Sequence, residues 1–225
     1  MDKKHNNKNN LIQRIKQINK LNNNIDYTEY LVKYYPKNNN KENNRTILCI
    51  EKEINIPKKL SNDPISEEEK KNLYKANKDK FEKEMKLITK FSHPNIMKII
   101  HYFENPEYIF HIISENYQCD LADFIKMQYN KQKYFQESLV LSFFTQICLG
   151  IKYIHDLNIL HRNINPSNIL LISNKIVKIS NFDVYRILYT SKERSITLVN
   201  NSWKEYVSPE MIMNIPYSLK MIYGH

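Results

Sequence analysis

The residues of this chain whose types and spacing could do chemistry are concentrated in one stretch. Ile159 to Leu171 reads Ile-Leu-His-Arg-Asn-Ile-Asn-Pro-Ser-Asn-Ile-Leu-Leu, setting an imidazole and a guanidinium beside three carboxamides, Asn163, Asn165 and Asn168. A fourth, Asn181, follows in Lys178-Ile179-Ser180-Asn181-Phe182-Asp183. Carboxamide oxygens accept hydrogen bonds and can face a metal ion, but a carboxamide carries no charge and takes up no proton at neutral pH. Other chemistry is sparse. Cys49, Cys119 and Cys148 are an odd set without metal-ligand spacing, which argues against a disulfide scaffold or a zinc site and for a reducing, intracellular compartment. Gly150 and Gly224 are the only glycines, whereas a loop that wraps backbone N–H groups around phosphates normally needs several.

The elements that must position these groups fall into a strand-rich half and a helix-rich half. Tyr30 to Tyr35 is rich in β-formers, and Arg45 to Ile54 continues with Ile47, Leu48, Cys49 and Ile50, giving two strands. Ser66 to Phe91 turns helical, with Phe81, Met85 and Ile88 at helical spacing and a break expected near Lys75. The apolar runs Ile96 to Phe103 and Tyr108 to Ile113, separated by Asn105 and Pro106, predict a hairpin. Glu137 to His155 predicts a second helix, with Leu141, Phe144, Ile147, Ile151 and Ile154 on its apolar face. Asn-rich stretches at Asn6 to Asn10 and Asn38 to Asn44 read as loops.

With 225 residues and 41% hydrophobic content, the chain can bury one sizeable core or two small lobes. Its formal charge of +10 would suit a phosphate-rich partner. Lys, Asn, Ile and Tyr are all over-used, however, as AT-rich codons alone would produce, so nucleic acid is not the expected partner. The first ten residues are polar and basic with no apolar run behind them, so neither a secretory signal nor a membrane span is expected.

The stretch Ile159 to Leu171 resembles the protein-kinase catalytic loop His-Arg-Asp-Leu-Lys-Pro-x-Asn followed by a strand. Ser180 to Asp183 resembles the turn ending in Asp-Phe-Gly, and Ser208-Pro209-Glu210 resembles Ala-Pro-Glu. Glu84 and His93-Pro94-Asn95-Ile96 stand where that family has its helix-C glutamate and His-Pro-Asn-Ile turn. These matches come in the right order on the right elements. The resemblance implies an α+β, bilobal kinase-like fold: a polar tail over 1–10, a β-rich small lobe over 11–115 and a helical large lobe over 116–225. That lobe is expected to be incomplete, because the family continues into further helices beyond Lys220.

Phosphoryl transfer asks a protein for a phosphate cradle, a lysine on the phosphates, groups that hold metal, and a base near the substrate hydroxyl. The resemblance assigns all but one of these to positions that have changed, the exception being Asn168, which keeps the family's asparagine and could offer its carbonyl to a metal. The cradle glycines fall on Asn22, Asn24 and Tyr27, with Glu29 adding negative charge. In Leu48-Cys49-Ile50-Glu51, which resembles Val-Ala-Ile-Lys, the phosphate lysine falls on Glu51, where it would repel ATP and Glu84; the adjacent Lys52 is expected to point to the other face. The base position is Asn163 and the catalytic-loop lysine is Asn165. The metal positions are Asn168 and Asn181, the latter replacing a carboxylate. Cys49 and Leu170 resemble the residues flanking the adenine, and Glu115 and Tyr117 stand at further ATP-site positions. His161, Phe182 and Ile88 resemble the internal apolar spine, and the family's Gly-Thr pair before Ser208 falls on Ser202-Trp203.

These departures predict an inactive pseudokinase that binds or scaffolds another protein, for example an active kinase, with no cofactor. Arg162, Thr190, Ser191, Ser195 and Thr197 would offer it a phosphate-responsive surface. The alternative is an atypical serine/threonine kinase with weak ATP- and Mg²⁺-dependent transfer. Either reading places the protein in the cytoplasm or nucleus.

Overall fold

Side chains alternate across a pleated strand, and that alternation organises the first part of the chain. In the computed structural model, β1 (Ile15–Asn23), β2 (Tyr27–Tyr34), β3 (Ile47–Ile54), β4 (Ile99–Glu104) and β5 (Phe110–Glu115) form an antiparallel sheet in the order β1-β2-β3-β5-β4. The structure describes residues 14–23, 27–36, 46–54, 66–105, 109–161, 163–182 and 206. The chain divides into two compact units, residues 1–79 with 98–116 and residues 80–97 with 117–225.

α1 (Glu67–Ile88) carries the boundary between them. Its start is a reciprocal cap: Ser66 Oγ accepts from Glu69 N at 3.2 Å, and Ser66 N donates to Glu69 Oε2 at 3.0 Å. The expected break near Lys75 does not occur, and the helix is continuous over 22 residues. Phe81, Met85 and Ile88 are buried, as their spacing predicts. In the first unit Tyr74 stacks on Phe110 of β5, and Lys78 Nζ reaches Glu104 Oε2 of β4 at 2.6 Å. The first half of α1 therefore lies against one face of the sheet.

The second unit contains β6 (Cys119–Asp120), α2 (Leu121–Asn130), α3 (Glu137–Asp156), a 3₁₀ turn (Pro166–Asn168), β7 (Ile169–Ser173) and β8 (Ile176–Ile179). β6, β7 and β8 make a small antiparallel sheet in that order. Residues 80–97, expected in the small lobe, belong here because the His93–Ile96 turn is tied to β8. Met97 N donates to Ile179 O at 2.8 Å and Ile179 N to Asn95 O at 2.9 Å. The Asn95 amide adds bonds to Val177 O and Gln146 Oε1, both at 3.0 Å. Ile96 accordingly bridges Ile179 and does not extend the β4–β5 hairpin.

α3 presents the expected face only in part: Ile154 is buried and Ile147 and Ile151 are half-buried. Phe143, Gly150 and Ile154 are buried, whereas Leu141 and Phe144 are 56% and 64% exposed. Gln146 decides this rotation: its amide accepts from Val177 N at 3.0 Å and donates to Lys175 O at 2.8 Å, so the side that carries it must face β8. By length and composition α3 would suffice to cross a membrane, yet the same helix uses Gln146 and Tyr153 in hydrogen bonds to neighbouring segments of its unit.

Gly150 lets α3 approach β8 closely. A Cβ there would lie 2.8 Å from Ile179 Cδ1 and 3.0 Å from the carbonyl oxygen of Asn95. The isoleucine can turn aside, but the Asn95 carbonyl is held by Ile179 N. Gly150→Ala is expected to lower stability by about 1–3 kcal/mol through overpacking, outweighing the helix-propensity gain of about 1 kcal/mol. Urea denaturation followed by far-UV circular dichroism would read this as a lower midpoint; an unchanged or raised midpoint would show that the contact relaxes freely.

Candidate functional site

In the sheet unit, the register of β2 on β3 decides which side chains share a face. Glu29 pairs with Lys52, Leu31 with Ile50 and Tyr27 with Ile54, and β5 continues the same face with Ile112 opposite Lys52 and Phe110 opposite Ile54. Directly opposed residues lie on one side of an antiparallel pair. This side is the one that Tyr74 of α1 stacks on. Tyr30, Val32, Cys49, Glu51 and Glu53 therefore lie on the other side.

That placement reverses the sequence expectation for the phosphate lysine. Lys52, not Glu51, shares a face with Tyr27 and Glu29. Its Nζ sits 3.1 Å from Glu29 Oε1 and 3.9 Å from the centroid of the Tyr27 ring, with the Lys52 and Glu29 side chains only 12% and 8% exposed. A nearly dry ion pair capped by a cation–π contact results.

Glu51 is consumed elsewhere. Its carboxylate takes a hydrogen bond from Gln17 Nε2 at 3.0 Å and one from His111 Nδ1 at 3.1 Å, so the imidazole proton facing it is on Nδ1. Gln17 also donates to Glu53 Oε1 at 3.2 Å, and the Phe103 ring lies parallel to His111 at 4.7 Å. Burial, followed by the charge and hydrogen bond of Glu53, holds the Tyr30 phenol above its usual range. Sequence reading did not single out Gln17, His111 or Glu53. Cys49 goes with this side as well. It is fully buried with Val32, Tyr34, Phe103 and Ile113, and burial pushes its thiol up to about 11, so it is a core residue here. Glu115 N and Oε1 both bond the Lys98 backbone, at 3.1 and 2.7 Å, which splices β5 to the start of β4.

In the second unit the four loop carboxamides come together. Asn165 Nδ2 donates to Asn163 Oδ1 at 2.8 Å, and Asn165 Oδ1 caps the 3₁₀ turn by accepting from Ser167 N at 3.0 Å. Asn168 Nδ2 donates to Asn163 O at 2.7 Å, while Asn168 Oδ1 accepts from Asn181 Nδ2 at 2.8 Å. Asn181 adopts φ 55°, a left-handed conformation that asparagine tolerates better than most residues. Asn165 and Asn168 are buried. The base, lysine and metal positions are thus linked by amide hydrogen bonds without a formal charge among them.

His161 supports this loop from beneath. Its Nε2 donates to Ser180 O at 2.8 Å and its Nδ1 accepts from Asn163 N at 3.3 Å, an arrangement that requires the neutral ring. Phe182 packs on His161 at 4.8 Å and on Phe91 at 5.0 Å. Ile88 is buried on α1, where Glu84 is half-buried in the part belonging to this unit. Leu170 is buried in β7 opposite Lys178, and Tyr117 lies just before β6. Asn24, Arg162, Asp183, the hydroxyls from Thr190 to Thr197, Ser202-Trp203 and Ser208-Pro209-Glu210 lie outside the described residues, as does the side chain of Asn22.

Residues 51–222 match the family model described as a protein kinase domain. The chain is 38% identical over 175 residues to human serine/threonine-protein kinase Nek5, covering 76% of this chain and 22% of that protein. It is 36% identical over 148 residues to mouse serine/threonine-protein kinase Nek3, covering 66% of this chain and 28% of that protein. It therefore spans about a quarter of the length of these relatives.

The loop has a pH signature. Burial pushes His161 down to about 4, against a smaller upward pull from the Ser180 carbonyl. Above the unfolded-state value near 6.5 both states are neutral and the residue contributes no pH dependence. As pH falls from there towards 4 only the unfolded chain takes the proton, so stability is lost over that window. The loss between pH 7 and 5 is expected to be about 2 kcal/mol. Urea midpoints at the two pH values should differ less in His161→Gln than in the native chain; equal differences would mean that His161 takes its proton normally in the fold.

Proposed function

The chain belongs to the protein kinase domain family, and on that premise we propose that it is a kinase-fold module that no longer transfers phosphoryl groups and acts by binding another protein. The observation that carries this reading is the hydrogen-bonded chain of Asn163, Asn165, Asn168 and Asn181 at the catalytic positions. A group at the base position must accept a proton, and the Asn163 amide cannot. The metal positions offer Mg²⁺ no carboxylate, and Asn168 Oδ1 is already engaged by Asn181. In that family Mg²⁺ is held by a carboxylate, the asparagine matched by Asn168 and phosphate oxygens, so with the carboxylate gone these residues fit the ion poorly.

Protein binding is supported by what the fold keeps. The buried His161, Phe182 and Phe91 rings maintain a packed interior, and α3 leaves Leu141 and Phe144 exposed. An active kinase is one partner class that would suit such a surface. The unpaired state of Cys49, Cys119 and Cys148 favours a cytoplasmic or nuclear setting.

One observation favours a second reading, a weak serine/threonine kinase: Lys52 stands on the face that carries Tyr27 and Glu29. Radiolabelled phosphate transfer from Mg²⁺-ATP to a generic protein substrate separates the two. Equal background incorporation by the native chain and Asn163→Ala is expected. Incorporation that Asn163→Ala lowers by about 10²-fold or more would establish the kinase reading and end the first. In parallel, adding Mg²⁺ to the ATP-treated protein is expected to leave its melting temperature unchanged, whereas a Mg²⁺-dependent rise would show that a metal site survives.

A further inference from the structure

The Lys52–Glu29 pair suggests what has happened to nucleotide recognition in the sheet unit. Glu29 and Lys52 are opposed in register, 3.1 Å apart, and both nearly buried. Tyr27, two residues earlier on β2, covers the ammonium with its ring. A lysine so placed is saturated electrostatically: an anionic carboxylate at contact distance does for it what an incoming phosphate would do. Glu29, Lys52 and Tyr27 all lie in the sheet unit.

We propose that Glu29 is a built-in competitor for polyphosphate at Lys52: a nucleoside polyphosphate engages that lysine only by displacing the Glu29 carboxylate, so Glu29 sets the chain's nucleotide affinity. Glu51, the acidic residue next in sequence to the lysine, has no part in this. Its charge is spent on Gln17 and His111 across the sheet. The inference rests on the kinase-family reading of this strand but not on the loss of phosphoryl transfer.

The distinction between Glu29 and Glu51 makes the proposal testable. Binding of ATP in EDTA is measured on the full chain by isothermal calorimetry, for the native protein, Glu29→Gln, Glu51→Gln, Lys52→Met and the double variant Glu29→Gln/Lys52→Met. Close charge pairs couple strongly enough that Glu29→Gln is expected to tighten ATP binding by roughly tenfold or more. Glu51→Gln should leave it unchanged, and the gain should vanish in the double variant. Breaking a buried pair also costs stability, so Glu29→Asp, which keeps the charge and draws the carboxylate back by one methylene, is measured alongside. It is expected to gain affinity in the same direction by a smaller factor.

The proposal is overturned if neither Glu29 variant tightens binding, if Glu51→Gln gives an equal gain, or if the gain survives without Lys52. All of these readouts are binding without metal. Failure here leaves the transfer assay untouched, and phosphoryl transfer by the native chain would leave this result untouched.

Discussion

The register between β2 and β3 is the constraint on which the rest of the sheet unit depends. Side chains alternate with a period of two, so moving the pairing by one residue would exchange every group on one face for its neighbour on the other. With Glu29 opposite Lys52 and Val32 opposite Cys49, the sheet puts a cation and its counter-ion on the face that α1 stacks on. The other face receives a second polar set, Gln17, Glu51, Glu53 and His111, over a core of Val32, Tyr34, Phe103 and Ile113. Neither set could be exchanged for the other, because each buried charge finds its partner only in this pairing.

The second unit depends on a different device, backbone carbonyls used as anchors. Asn95 O, Asn168 O and Ser180 O each accept from a group distant in sequence: Ile179 N, Ser180 N and His161 Nε2. Because each carbonyl lies on a different segment, the turn after α1, the loop after α3 and the end of β8 are held in one place. The carboxamides are then positioned by a scaffold that does not itself carry their chemistry.

How much of this could be read in the residues depended on how many positions a motif pinned. The loop from His161 to Asn168 and the Ser180 to Phe182 turn were legible because several residues had to match at fixed spacing. The helix of Glu137–Asp156 and the strand ending at Ile54 were legible as elements, but the orientation of the helix only in part and that of the strand not at all. β3 has apolar residues at both parities, Ile47 and Cys49 on one and Leu48, Ile50 and Ile54 on the other, so alternation could not say whether Glu51 or Lys52 shared a face with Tyr27 and Glu29. The pairing partner supplied that answer, and Glu29, the acid opposite Lys52, was the available signal. α3 is apolar around much of its circumference, and its buried side is chosen by Gln146 and Gly150, residues that a count of hydrophobic positions passes over. The Glu51–His111 bond escaped for the same reason: it joins strands 60 residues apart.

The carboxamide network has a consequence in the language of linkage. A loop whose geometry depends on a bound ion is coupled to that ion, since occupancy and order rise together and each reports on the other. Here the bonds among Asn163, Asn165, Asn168 and Asn181 are completed by the chain itself, so the ordering entropy is met when the protein folds. An equilibrium can be moved only by a ligand that distinguishes its two states. On the proposed reading, a divalent ion has little left to select in a loop already bonded to itself, and conformational information that passes through this segment comes from protein contacts made outside it.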